Sequence, residues 1–368
     1  MTNGRTSDIV VIGGGLIGTA VAFGLRERGL DTVLLDEGDV ALRAARGNFG
    51  LVWLQSKGAG LREYTSWTRK AVDAWPGFAS KLRDVTGIDV RYRRPGGYHL
   101  CLSDAERDKR AAMVARVRPG QPHDARTVML ERDELKARLP FIGPSVVGGS
   151  YNPLDGDCNS LALFRALHEA YSARGGDYRP GQAVRRLLRG KGVYGAETAE
   201  GTWWAPKVVI AAGLGLVDLG RQIGVGPVVH PQQGQIIVTE RVKPFLDVPI
   251  SQIRQTPDGT LLVGDNSGGE TYETPTSLSV MHHLANRAVR MIPELSDIRI
   301  VRSWVALRVL SKDGAPVYQE APDWPGVFFF TAHSSVTLAP MHVTELSRWV
   351  ADGAIDEEAR AFSTARFS

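Results

Sequence analysis

The chain has 368 residues, 43% of them hydrophobic and 23% charged, which is enough for two domains and a sizeable core. A formal charge of +4 and a sequence pI near 9.1 are mildly basic, with arginines scattered apart from small clusters at 91–94 and 185–189. That pattern reads as a solvated surface or, more sharply, as a patch for anionic cofactors or partners, and nothing in it resembles a nucleic-acid module. Cys101 and Cys158 alone cannot build a four-cysteine iron–sulfur or zinc site, and the pair suits a reducing cytoplasm better than a structural disulfide.

The start is polar and lacks the basic n-region of a signal peptide. Residues 9–25 carry no charge, but their three consecutive glycines argue for a strand–turn–helix rather than a membrane span. Residues 8–12 read as a buried parallel strand, 16–28 as a helix closed by Gly29, and 32–36 as a second buried strand. This βαβ opening predicts a doubly wound α/β domain. Between its first two elements, Gly13-Gly14-Gly15-Leu16-Ile17-Gly18 fits G-x-G-x-x-G. Gly13 allows a tight turn, Gly15 lets a pyrophosphate approach the backbone, and Gly18 lets helix and strand pack closely. Leu16 and Ile17 open the helix, whose N-terminus offers N–H groups and a positive dipole end. Asp36, or Glu37 beside it, can accept the ribose hydroxyls, which favours FAD or NAD over NADP.

Next comes Arg46-Gly47-Asn48-Phe49-Gly50, running into the apolar stretch 51–54. Its glycines mark unusual backbone angles or the close approach of a ligand. A helix is expected over 61–75, a strand-like stretch with a Pro95-Gly96-Gly97 turn over 88–102, and amphipathic helices over 104–118 and 131–139. Another helix follows over 160–174, then a β-meander over 182–211. Its last strand ends in Ala212-Gly213, which suits the far side of an extended nucleotide and favours FAD. Strands are expected over 235–239, 250–255 and 260–264, and Thr274-Pro275 reads as the N-cap and first residue of a helix. Strands near 299–306 and 326–331 and a helix over 337–350 complete the chain. The β-rich pieces interrupt the nucleotide-binding pieces. The expected division is therefore an FAD-binding domain of residues 1–80, 146–225 and 323–368, and a substrate domain of residues 81–145 and 226–322.

In order and spacing these segments resemble the D-amino-acid-oxidase-like FAD-dependent oxidoreductases over essentially the whole chain. The matching pieces are the glycine motif with Asp36, Pro95-Gly96-Gly97-Tyr98, 155–159, 210–213, Gln233-Gly234-Gln235, 304–308, Asp313-Gly314-Ala315-Pro316 and 333–340. Within the family, Arg46–Trp53 and Ile253-Arg254-Gln255 look most like the β subunits of opine (nopaline or octopine) dehydrogenases or oxidases. The subunits of hydroxyproline dehydrogenase and hydrogen cyanide synthase look close to these. The resemblance implies a Rossmann-like FAD domain interleaved with a β-rich substrate domain of antiparallel sheet plus helices.

It also implies site residues. Arg43, Ala45, Arg46, Gly47, Asn48, Phe49, Gly50, Val184, Ala212, Gly213, Ser334, Ser335, Val336 and Thr337 would join the glycine motif around FAD. Arg43 or Arg46 would meet a phosphate, and Gly47 and Gly50 would let the backbone close on the cofactor. The 334–337 segment would cap the last helix and face the flavin edge that gains negative charge on reduction. Arg308 would hold a substrate carboxylate through its planar fork. Arg254, His333, Tyr98 and His99 would line the substrate pocket. The chain departs from the family at Ser334-Ser335, where relatives carry glycines, at Val309, where they carry proline, and at Ala332, where they carry cysteine or glycine. Ala332 leaves no thiol to tether the flavin, so non-covalent FAD is expected.

The implied reaction is oxidation of the C–N bond of an opine or related secondary amino acid by hydride transfer to flavin N5, giving an amino acid and an oxo acid after hydrolysis. The implied setting is cytoplasmic, with a larger α subunit and a small ferredoxin-like subunit that carry a further flavin or a [2Fe-2S] cluster. The alternatives are a stand-alone glycine, sarcosine or D-amino-acid oxidase producing hydrogen peroxide, a hydroxyproline dehydrogenase subunit, and, in another class, a flavin-binding assembly scaffold.

Overall fold

The computed structural model describes residues 5–38, 44–121, 123, 126–264 and 269–367. Three short apolar strands form the centre of a six-stranded sheet: Ile9–Ile12, Thr32–Leu35 and Lys207–Ile210. Nearly every residue in them is buried, as expected of a parallel sheet covered on both faces. The strand order is 317–320, 327–331, 207–210, 9–12, 32–35, 177–179, all parallel except Val317–Glu320, which runs antiparallel to its neighbour.

Helices cover one face. Leu16–Glu27, Arg62–Thr86, Ser160–Ala173 and the C-terminal helix pack there around Trp67, Trp75, Tyr318, Trp349 and Phe362. The antiparallel meander Arg186–Arg189, Tyr194–Thr198, Gly201–Ala205 covers the other. A second sheet stands beside this layered body. Its four antiparallel strands are ordered 253–255, 260–264, 229–241, 300–311, and bridges through Ile250 connect them to the three-stranded sheet 97–101, 148–152, 128–131. Leu278–Met291 lays Leu284, Ala288 and Met291 on its core. Two strands fall outside the expected domain boundaries: Gly148–Asn152 pairs in the three-stranded sheet beside the second, and Val317–Glu320 in the first.

Several elements depart from their expected limits. Arg62–Thr86 continues through Pro76, fixed by the Trp75 indole donating to Thr337 O at 2.9 Å. Val229–Arg241 and Ile300–Ser311 pair along nearly their whole lengths, so polar residues that look like loop in isolation are held in a ladder. The helix expected to open at Thr274-Pro275 has Ser277 as its N-cap instead. Gln235 fixes that start, because its amide accepts from Ser277 N at 3.0 Å and donates to Ser277 O at 3.2 Å.

The last helix begins at Ala339 and contains a π turn, His342–Leu346. Here Val343 O lies against Gly24 of the first helix, where a Cβ would overlap it. Arg28 closes the same seam by donating to Thr344 O at 2.8 Å. Gly24→Ala should therefore cost about 1–3 kcal/mol of stability, the ordinary penalty of overpacking. Chemical denaturation would measure it, and an unchanged midpoint would show that the seam yields.

Candidate active site

A cavity of about 1110 Å³ opens at the carboxyl ends of the parallel strands and extends under the second sheet. It exceeds the roughly 300–1,000 Å³ of ordinary small-molecule sites, and its position is where doubly wound sheets bind ligands.

Gly13, at φ +105°, turns the chain out of the first strand. A Cβ there would sit 2.5 Å from Ala211 O, and one at Gly18 would overlap Gly13 O. Gly15 is different: a Cβ there would meet nothing within 4 Å, and the residue faces the cavity with Leu16 and Ile17. The helix behind it has no side-chain cap and no acid in its first turn, so its N–H groups remain available to an anion. His168 steadies the loop from below, with Nε2 at 3.0 Å from Gly14 O and 3.2 Å from Thr19 Oγ1. Sequence reasoning missed it, because one histidine on an amphipathic helix carries no local signal. Asp36 is buried and accepts from Gly14 N at 2.6 Å and Gly38 N at 2.7 Å. It therefore shapes the loop as well as lining the cavity, where the exposed Glu37 supplies a second carboxylate. A glycine cradle, an uncapped helix start and flanking acids fit the adenosine diphosphate half of FAD.

Ala45, Gly47, Asn48 and Phe49 line the cavity, as do Val184, Ala212 and Gly213. Arg46 is exposed and does not line it, and Arg43 lies outside the described residues. Gly50 does not line it either. Its φ of +89° and its packing against Cys158 O, which a Cβ would strike, explain the glycine without a ligand. Asn48 Oδ1 accepts from Gly50 N at 2.8 Å, so this amide holds the turn. Ser334, Ser335, Val336 and Thr337 line the cavity in a turn ahead of the last helix. They do not cap it, since its N-cap is Leu338; Thr337 Oγ1 instead accepts from Trp53 N at 3.1 Å.

The second sheet brings Arg308, His99 and the neighbourhood of His333 together. Arg308 donates to Gln232 Oε1 and Gln233 O, each at 3.3 Å, and Gly234 leaves room for its guanidinium. His99 Nδ1 is 2.7 Å from Ser251 Oγ. The Ser251 hydroxyl donates to Gln252 Oε1 at 2.5 Å, so His99 Nδ1 must be the donor. Burial and the charge of Arg110 push His99 down to about 3, while burial, Lys57 and Arg308 do the same to His333. Both rings are neutral at physiological pH.

Two expected pocket residues lie elsewhere. Tyr98 packs its ring on Tyr151 at 4.8 Å in the core of the second sheet. Arg254 is buried against Asp157 at 3.5 Å, donates to Phe49 O, and lines a separate cavity of about 200 Å³. In place of these, Lys57 and Arg110 supply cationic side chains to the main cavity. Lys57 follows the apolar stretch 51–54 at a distance of three residues, where a charge soon after a buried strand was the available sequence signal. Arg110 sits on the amphipathic helix Asp104–Val117, where no local signal sets it apart from the other charged residues.

The family described as "DAO: FAD dependent oxidoreductase" matches residues 8–349. The opine oxidase B subunit of Rhizobium meliloti is 34% identical, covering 98% of this chain and 97% of the relative. Its counterpart in Agrobacterium tumefaciens (strain Ach5), also an opine oxidase B subunit, is 35% identical over the same shares. The crystal structure of glycine oxidase from Geobacillus kaustophilus superposes with a TM-score of 0.88 at 24% identity, covering 98% of each chain, and so shares the fold.

Gly15→Val should yield a folded chain that purifies without flavin absorbance, because the side chain fills cofactor space and touches no protein, whereas Gly18→Val should fail to fold. Equal flavin content in wild type and Gly15→Val would refute the cradle. A second expectation concerns Asp155, which burial raises to about 7 from 3.8 against the pull of hydrogen bonds from Leu54 and Gln55. A carboxyl raised on folding stabilises fully below its unfolded value, and that contribution fades as pH climbs through the folded one. Asp155→Asn should flatten the melting temperature between about pH 4 and about pH 7; an unaltered decline would count against it.

Proposed function

Because this chain belongs to the FAD-dependent oxidoreductase family, we propose that it is the β subunit of a flavoprotein dehydrogenase that oxidises the C–N bond of an opine or related secondary amino acid. The observation that carries this reading is the identity of about one third to the two opine oxidase relatives over nearly the full length, with a cationic substrate end in the cavity. When bound, FAD supplies the two-electron acceptor for the Cα–H of the amine.

The residues of the chain do the rest. The 13–18 loop, Asp36 and Glu37 hold the adenosine diphosphate half, and Ala44, Ala45, 47–49, 184, 212–213 and 334–337 surround the remainder. No cysteine lines the cavity among the described residues, which supports non-covalent binding. Arg308 binds the substrate α-carboxylate through its fork. His99 and His333, both neutral, accept or relay a proton without adding charge beside the amine. Alignment of substrate and acceptor in such a site is worth roughly 7–11 kcal/mol of barrier in favourable cases. The segments 1–80, 146–225 and 323–368 form the FAD part and the others the substrate part, with Gly148–Asn152 and Val317–Glu320 exchanged across the boundary.

Electrons leave to a partner. A larger α subunit and a small ferredoxin-like subunit would supply the further redox centre, for which Cys101 and Cys158, both buried, are too few. Among the described residues no helix is long and apolar enough to cross a membrane. A peroxide-producing oxidase is the second reading, favoured by the fold shared with glycine oxidase. Native co-purification followed by a screen of opines against a dye acceptor separates the two. Turnover with dye in the complex and none with oxygen supports the dehydrogenase, and robust peroxide release by the chain alone overturns it. In either case Arg308→Met should lower kcat/KM by roughly tenfold to a hundredfold, the loss of one charge-assisted contact. Unchanged kinetics in the assembled enzyme would favour the scaffold reading.

A further inference from the structure

The substrate end of the cavity holds more positive charge than the proposed contact with one α-carboxylate requires. Lys57 lines it, and its ammonium makes no hydrogen bond or ion pair with a described residue. Ser56, the residue before it, takes φ +84°, a left-handed conformation that is strained for a residue with a Cβ. Such strain persists only where the surroundings impose it, and they do so on both sides of the turn. Lys57 N donates to Leu54 O at 3.1 Å, Lys57 O accepts from Thr65 Oγ1 at 2.8 Å, and Ser56 Oγ accepts from Arg110 at 2.7 Å.

Arg110 is itself buried at 5% exposure and lines the same cavity. Its acceptors are all neutral: Ser56 Oγ, Ser150 Oγ, the Gln55 side-chain oxygen and Met113 Sδ. No carboxylate forms an ion pair with it among the described residues. Asp155 is the acid near both cations, and it spends Oδ1 on the Leu54 and Gln55 amides. Its Oδ2 has no hydrogen-bond partner among the described residues, and burial raises the carboxyl to about 7, so this one acid offsets the two cations only in part. Buried positive charge in excess of its counter-charge is costly, so the pair is arranged for an anion that arrives from outside. Lys57, Arg308 and His333 all line this one cavity.

We propose that Lys57, backed by Arg110, forms a second carboxylate subsite in the cavity, so that the chain selects amino acids carrying a distal carboxylate in addition to the one held by Arg308. Lys57 is the contacting group. Arg110 is a positioning residue that fixes the Ser56 turn and adds charge from behind. This deepens the function proposed above and rests on it, because it assigns a binder to each carboxylate of a diacid secondary amine.

The test uses the full-length, FAD-loaded chain and two probes of matched length, glutarate and pentanoate, titrated by perturbation of the flavin spectrum. Lys57→Met should weaken glutarate by about tenfold or more and leave pentanoate within about twofold, while Arg308→Met weakens both. Lys57→Arg should restore glutarate binding, which a purely structural role would not predict. Wild-type flavin content and melting temperature in Lys57→Met guard against a folding defect; loss of either together with equal losses for both probes overturns the subsite. Equal losses for both probes in Lys57→Met, or none, overturn the subsite. 2,2′-Iminodipropionate, a secondary amine with a carboxylate on each α-carbon, separates this from the reaction. If it fails to reduce the wild-type flavin while glutarate still depends on Lys57, the reaction falls and the subsite stands. If it reduces wild type and Lys57→Met at the same half-saturating concentration, the subsite falls and the reaction stands.

Discussion

The chain closes on itself where Gly13, Gly18 and Ala211 converge: a Cβ on Gly13 would strike Ala211 O, and one on Gly18 would strike Gly13 O. That contact seats the first helix directly on the ends of Ile9–Ile12 and Lys207–Ile210, which pair in parallel. It leaves the helix N-terminus facing outward over the sheet, with Gly15 bare toward the cavity. The nucleotide cradle, the direction of the cleft and the placement of Asp36 all depend on this approach. Asp36 reinforces it by accepting from Gly14 N on one side and Gly38 N on the other.

The two ends of the cavity carry opposite chemistry. At the sheet end, Asp36, Glu37 and the helix dipole suit a ribose and a pyrophosphate. At the other, Lys57, Arg110 and Arg308 suit carboxylates, and the histidines among them are kept neutral by burial and by those same cations. Neutral rings beside fixed cations allow a proton to be accepted from an amine while the charges that orient the substrate stay constant. The second sheet makes this possible. The pairing of Gln232 with Arg308 and Gly234 with Ala306 aims the guanidinium into the cleft, and Gly234 clears its path.

The stretch 46–57 shows how neighbouring residues divide these tasks. Gly47 and Phe49 line the cavity, Gly50 instead packs on Cys158, and Asn48 ties the turn between them. Arg254 looked like a substrate ligand, yet it braces this loop from behind through Phe49 O and Asp157. Its charge belongs to the support of the cofactor loop, and the cationic duty in the cavity passes to Lys57, ten residues past Gly47.

The glycine spacing, the apolar strands and the acid after the second strand determined the βαβ unit, its nucleotide chemistry and the family. Those features are local: each depends on residues a few positions apart, and steric exclusion at a Cβ or strand periodicity acts at that range. The helix limits failed where distant partners set them, as Gln235 does for Ser277 and Thr337 for Trp75. The long ladder between 229–241 and 300–311 was legible only in part, because pairing across some seventy residues holds polar segments that have no strand signature of their own. Which arginine lines the main cavity was likewise decided by tertiary structure. Arg254 and Arg110 are the same residue type on regular elements; burial against Asp157 neutralises one, and a set of neutral acceptors leaves the other charged and aimed at the cavity.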